Sequence, residues 1–235
     1  MGQGVVARAG ERLAGTGADR LFPLRDQLRE LLPWHGLRRG AIVAVASGTP
    51  GATSVLLALI AEPVRTGSWC GVVGVPALGT AAAAELGVDL GRLALVPDPG
   101  TEWATVTAAL LDGLDIVVVQ PSGPVGPQLA RRLAARARQR GSVLVPYGEW
   151  DGADVVLRTT GQVWHGLGMG RGRLRSREVN VVSYGRGAAV RPRKAVVWLP
   201  AGDPAPTGPD PAAVVQGTAA VPLTLVADPA MDEAS

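Results

Sequence analysis

The chain has 235 residues, 47% of them hydrophobic, enough for one sizeable domain with an aliphatic core. Aromatic residues make up 4% of the chain and the formal charge is +3, so stacking platforms for single-stranded bases are scarce and there is no overwhelming basic field. Cys70 is the sole cysteine, which excludes an internal disulfide and a thiolate zinc site and points to a reduced, cytoplasmic setting. No apolar run approaches the roughly 18 residues of a membrane span, and the first residues do not read as a signal peptide.

In chain order, Leu21, Leu24, Leu28, Leu31 and Leu32 recur at helical spacing between Arg and Glu, which predicts an amphipathic leading helix ended by Pro33. "AIVAVA" then reads as a buried strand, 52–64 as a helix, "WCGVVGV" as a strand, 80–86 as a helix and "LALVP" as a strand. The series continues with a helix over 102–111, the strand "DIVVVQ", a helix over 126–140 and the strand "SVLVPY". Continuous rather than alternating apolar strands, separated by helices, predict a mainly parallel α/β sheet covered on both faces. After Trp150, "ADVVLRTTGQVWHGLG", "EVNVVSYG" and "KAVVWLP" predict a β-rich meander. From residue 201 the composition turns to Pro, Ala, Gly and Asp, and disorder is expected there, with "AAVPLTLVAD" as one apolar island.

Between the first buried strand and its helix lies "ASGTPGATS". A strand, a glycine-containing loop and a helix make a phosphate-binding loop, whose pattern G-x-x-x-x-G-K-[ST] supplies backbone amides, a lysine for charge and a hydroxyl for magnesium. At that spacing the positions are Ala46, Gly51, Ala52 and Thr53, so the second glycine and the hydroxyl remain while the first glycine and the lysine do not.

The stretch "GLRRGAIVAVASGTPGATSVLLALIAEPVRTGSWCGVVGV", followed by "ELGVDLGRLALVPDPGTEWATVTAALLDGLDIVVVQP", resembles the RecA core in order and direction over residues 36–200. That resemblance implies a RecA-like α/β fold and a magnesium aspartate where this chain has Gln120. It implies a catalytic glutamate near Pro76, and polar sensing where Tyr147 and Gly148 stand. No carboxylate occupies those positions, and the single lysine, Lys194, lies far downstream. Arg38 or Arg39 would replace the missing lysine imperfectly, because a planar fork does not reproduce a compact ammonium. Charge neutralisation, metal and base are lost together, so no catalytic residue, cofactor or metal is expected.

Such a stripped core resembles the SulA and ImuA group of damage-response proteins, the actinobacterial ImuA-like branch most closely. The resemblance implies a non-catalytic adaptor in translesion synthesis, with an ImuB-like Y-family polymerase homologue as partner, an error-prone C-family polymerase reached through it, and DNA as a further partner. The alternatives are a SulA-like inhibitor of cell division and an atypical nucleotide-binding protein or ATPase. The organisation expected is an N-terminal amphipathic helix over 1–35, which either mediates self-association or folds back on its own core, then a RecA-like core over 36–200 and an acidic tail over 201–235.

Basic residues concentrate at 131–140 and 171–194, whereas the charge of the tail comes only from Asp203, Asp210, Asp228, Asp232 and Glu233. On an extended chain Arg171, Arg173, Arg175 and Arg177 would alternate onto one face, a row suited to phosphates, to an acidic partner or to the chain's own tail. A solvated edge strand is the plainer reading of the same row. The helix bearing Arg131, Arg132, Arg136, Arg138 and Arg140 reads first as sheet packing with a charged rim. His35 and His165 are the only histidines and sit far apart in sequence, which argues against a metal pair or a catalytic triad.

Overall fold

The computed structural model describes residues 20–168 and 171–199, with the side chains of 166–175 left aside. Residues 1–19, the tail 201–235 with its apolar island, and residues 169 and 170 of "GMGRGR" lie outside the described residues.

Among the described residues ten strands and five α-helices follow one another: β1 (Leu21–Phe22), α1 (Asp26–Arg29), β2 (Leu37–Arg38), β3 (Val43–Val45), α2 (Ala52–Arg65), β4 (Cys70–Val73), α3 (Thr80–Glu85), β5 (Leu93–Val96), α4 (Trp103–Gly113), β6 (Ile116–Val119), α5 (Pro127–Arg140), β7 (Val143–Pro146), β8 (Val155–Gly168), β9 (Arg171–Gly185) and β10 (Arg193–Leu199). Strands β5, β4, β6 and β7 lie parallel in that order. Parallel bridges Ile42–Leu144 and Val45–Tyr147 carry the sheet on to β3, which pairs in parallel with β8. Antiparallel β9 and β10 finish it as a meander. This is the mixed α/β fold expected from the sequence, with a parallel sheet flanked by helices and a β-rich close.

The continuous apolar strands are buried on both faces, as parallel strands between helices must be. Along β3 and its flank, Val43 and Val45 join the core beneath α2, while Ile42 and Ala44 join the one beneath α4 and α5. Helix α5 begins at Pro127 and ends at Gly141, which takes the left-handed conformation at φ 66°. Ala130, Leu133, Ala134 and Ala137 face the sheet, leaving Arg131, Arg132, Arg138 and Arg140 exposed.

Arg136 and Arg140 both grip Asp112 of α4, Arg140 Nε at 2.9 Å. The Arg136 fork, with Arg140 behind it, holds the Asp112 carboxyl down at about 2. A carboxylate whose folded pKa is depressed contributes above its unfolded value, near 4, and loses that contribution as pH falls through the folded value. The clasp between α4 and α5 should therefore survive pH 4 and fail towards pH 2. In acid titrations followed by circular dichroism, Asp112→Asn should narrow the stability difference between those two pH values.

The leading helix differs from expectation. Helix spans only residues 26–29, and Leu21 and Phe22 instead pair as β1 with β2. Pro23 is the physical reason, since proline lacks an N–H and pushes the residue before it out of the helical region. Four of the five leucines are nonetheless buried: Leu24, Leu28, Leu31 and Leu32 are at most 6% exposed within this chain's own core, whereas Leu21 is 36% exposed. Ser183 Oγ donates to the Leu31 carbonyl at 2.6 Å, and Gln27 Oε1 accepts from the Trp198 N–H at 2.9 Å. The described leading residues thus pack back onto the core of their own chain.

Candidate functional site

Beyond β3 the chain turns through Gly48 and Gly51, whose φ values of 79° and 88° are left-handed, into α2. Ala46 is buried and its N–H donates to the Leu157 carbonyl at 2.9 Å. A one-residue bulge at Thr160, between the pairs Thr159–Val181 and Gly161–Asn180, re-aims the rest of β8. It brings Gln162 and Val179 over the loop: a Cβ on Gly51 would meet Val179 Cγ1 at 3.0 Å and Gln162 Oε1 at 3.3 Å. Ala52, at the lysine position, is 1% exposed and belongs to the core beneath that roof.

Two hydroxyls of the loop, those of Thr49 and Thr53, are engaged by protein partners. Thr53 Oγ1 lies 2.8 Å from the Tyr147 hydroxyl, and Thr49 Oγ1 lies 2.6 Å from Thr159 Oγ1. The hydroxyl that the phosphate-loop pattern assigns to magnesium is thus tied to the residue at the phosphate-sensing position. Tyr147→Phe should lower thermal stability by about 1 kcal/mol, the ordinary worth of one such bond, without disturbing the fold. A melting curve checks it.

Beside the loop a cleft of about 650 Å³ opens at the carboxyl ends of β4, β5, β6 and β7, lined by Thr53, Pro76, Asp98, Gln120 and Tyr147 among others. A neighbouring cleft of about 490 Å³ shares Gln120 and Tyr147 and adds Glu149 and Asp151. Strand ends at a reversal of sheet order are where α/β proteins hold ligands. Gly74 shapes this end, since its φ is 74° and a Cβ there would overlap the Gln120 carbonyl oxygen. Gln120, half-buried, gives its backbone N–H to the Val73 carbonyl at 2.9 Å.

The charge of these clefts is wrong for a nucleotide. Among their described lining residues stand three carboxylates, Asp98, Glu149 and Asp151, and no lysine or arginine. Arg38 and Arg39 precede β3 at the opposite end of the sheet. Arg38 stacks over Trp34 with its guanidinium carbon 4.1 Å from the ring centroid, and Arg39 reaches Asp115 at 3.1 Å. Lys194, exposed on β10, lines neither cleft. The residues present do not fit a magnesium nucleotide, and no chemical step is derived through one.

The strand carrying the expected arginine row pairs with β8 through a register shift. Residue pairs His165–Ser176 and Leu167–Gly172 leave four steps of β9 against two of β8, so the alternation breaks between Gly172 and Ser176. The side chains of Arg171, Arg173 and Arg175 lie outside the described residues. Arg177 lies on the same side of β9 as Val179, its guanidinium carbon 4.8 Å from the Trp164 ring centroid, and it donates to Gln162 Oε1 at 3.3 Å. Burial lowers its pKa. It supports the residue that roofs the loop, a role that sequence reasoning misses because the bulge at Thr160 sets which way Gln162 points.

His165 does not approach His35; its Nε2 lies 3.2 Å from Glu178 Oε2, and its ring centroid 4.8 Å from that of Trp198. Cys70 is buried in β4, and burial pushes its thiol pKa up, as suits a small core hydrophobe. Among the described residues, no helix is long and apolar enough to cross a membrane.

Fold and site together define a mixed α/β protein whose strand-end clefts carry no cation among their described residues. The family described as the MT3502 N-terminal domain matches residues 30–152, and the chain belongs to it. A relative in Mycobacterium tuberculosis, the uncharacterized protein Rv3395c, is 39% identical over 166 residues, covering 65% of this chain and 81% of that protein.

Proposed function

We propose that the chain is a non-catalytic, RecA-like accessory protein of the ImuA type, working in DNA-damage-induced translesion synthesis as an adaptor. Its partner in this reading is an ImuB-like Y-family polymerase homologue, through which an error-prone C-family polymerase is engaged. One observation carries the reading: the strand-loop-helix scaffold is retained while the loop is roofed by Val179 and Gln162 and Thr53 is tied to Tyr147. A scaffold whose lysine position is a buried alanine and whose loop hydroxyl is held by Tyr147 suits a protein that works by binding. The order of elements over residues 36–199 supports the RecA-like comparison, and a family of reduced, cytoplasmic proteins suits a chain with one buried thiol.

DNA is a secondary partner in this account. The row expected to meet it includes Arg177, which is half-buried against Trp164, so the contact would rest on the remaining arginines. Co-expression with the cognate ImuB-like protein tests the reading. A complex that persists through gel filtration is expected; absence of any complex at micromolar concentration would overturn it.

A further inference from the structure

The clefts at the carboxyl ends of the strands are lined by Asp98, Glu149 and Asp151 and by no cation among the described residues, whereas the amino ends of β3, β6 and β8 are crowded with arginine. Three aspartates there are each met by guanidinium groups: Asp112 by Arg136 and Arg140, Asp154 by Arg138 at 3.6 Å and Arg186 at 3.8 Å, and Asp115 by Arg39 at 3.1 Å. Arg38 stands beside them, exposed, stacked on Trp34 and in no ion pair among the described residues. With Arg38 the named groups are six arginines against three aspartates, a surplus of three positive charges. Helices α4 and α5 also end here, but a helix C-terminus carries only about half a negative charge, so the surplus stands.

The surface is continuous. A Cβ on Gly40, next to Arg39, would lie 3.2 Å from Arg138 Cα, so the turn before β3 abuts the last turn of α5, which carries Arg136, Arg138 and Arg140. The aspartates serve the fold as well: Asp154 Oδ2 accepts the Ile42 N–H at 2.9 Å, and Asp115 Oδ2 accepts the Trp69 N–H at 3.1 Å. Anchored in this way they hold the arginines in place, and a guanidinium has five N–H donors, more than one carboxylate takes up. Of the carboxylates in the described leading segment and α2, Asp26 and Glu62 each sit beside an arginine and Glu30 beside His35. Asp151 precedes Gly152, whose carbonyl Arg186 takes, and marks the border with the clefts.

We propose that this amino-end surface is the principal contact for the phosphate backbone of duplex DNA, held without regard to sequence. A planar guanidinium fork matches phosphate oxygens as it matches a carboxylate, and groups already fixed by aspartates lose little freedom on binding. Trp34 is covered by Arg38, so the surface offers charge without a bare ring on which unpaired bases could stack, which favours a duplex over a single strand. The inference takes up the reading of DNA as a partner and moves its main contact away from the β9 arginines; it needs no polymerase.

Fluorescence anisotropy of a labelled mixed-sequence duplex, titrated with the full chain between about 50 and 200 mM salt, tests it; the logarithm of the association constant should fall against that of salt with a slope of about −3. Arg38→Glu, which breaks no ion pair among the described residues, should weaken binding at least fivefold with an unchanged melting curve. Arg38→Ala/Arg138→Ala should reduce the salt slope by about 2, and should lose more affinity than Arg171→Ala/Arg173→Ala/Arg175→Ala. Binding undiminished by the Arg38 and Arg138 substitutions, a larger loss in the β9 variant, or tighter binding of poly-glutamate than of the duplex, the mark of an acidic protein partner, would each overturn the assignment of this surface. No duplex binding by the parent chain would overturn DNA as a partner altogether, and the polymerase complex is judged separately by co-expression.

Discussion

The Ala52→Lys variant is expected to lose about 3 kcal/mol or more of stability and to gain no affinity for a nucleotide. In a working phosphate loop this position projects an ammonium towards the phosphates, and restoring it would restore attraction. Here Ala52 is 1% exposed and packed in the core, next to a glycine on which an added Cβ would meet Val179 and Gln162. A lysine must bury its charge or force β8 and β9 off the loop. Denaturant unfolding gives the loss directly, and a variant as stable as the parent would show that the loop is open.

The second large effect concerns the leading segment. Leu31→Ala should cost about 2–5 kcal/mol, the range for removing a fully buried leucine. Leu31 is 0% exposed, and its carbonyl accepts the Ser183 hydroxyl across the fold. An arm that docks on another molecule would instead leave monomer stability nearly unchanged. A shift of the denaturation midpoint without a change of slope would mark a true loss of stability; a loss below about 1 kcal/mol would contradict the packing.

Much of the fold was legible because its signals are local. Uninterrupted apolar runs such as "IVVV" and "VLVP" give parallel strands, and Pro127 and Gly141 bracket α5. Where two local signals compete, reading fails: the leucine period of residues 21–32 predicts a long helix, but Pro23 interrupts it, leaving α1 with four residues. Four of the five leucines are still buried, since burial follows hydrophobicity whichever backbone carries it, while Leu21 on β1, ahead of Pro23, is 36% exposed.

The site was legible in its losses and not in its closure. Ala52, Gln120 and Pro76 can be read against the ATPase pattern from sequence alone; Gln120 and Pro76 line the cleft at the strand ends, and Ala52 opens α2. That Tyr147 bonds Thr53, and that Gln162 and Val179 cover Gly51, depends on sheet order and on a bulge, which join residues about a hundred positions apart. The arginine row shows the same limit. Alternation holds only while the pleat is regular, and the break before Ser176 is set by pairing with β8.

The proposed role of this loop as scaffold, in a protein that works by binding, is put to the test by titrating magnesium ATP and magnesium ADP into the full chain. No saturable heat and no rise in melting temperature are expected at millimolar nucleotide. A micromolar dissociation constant for either nucleotide would contradict it.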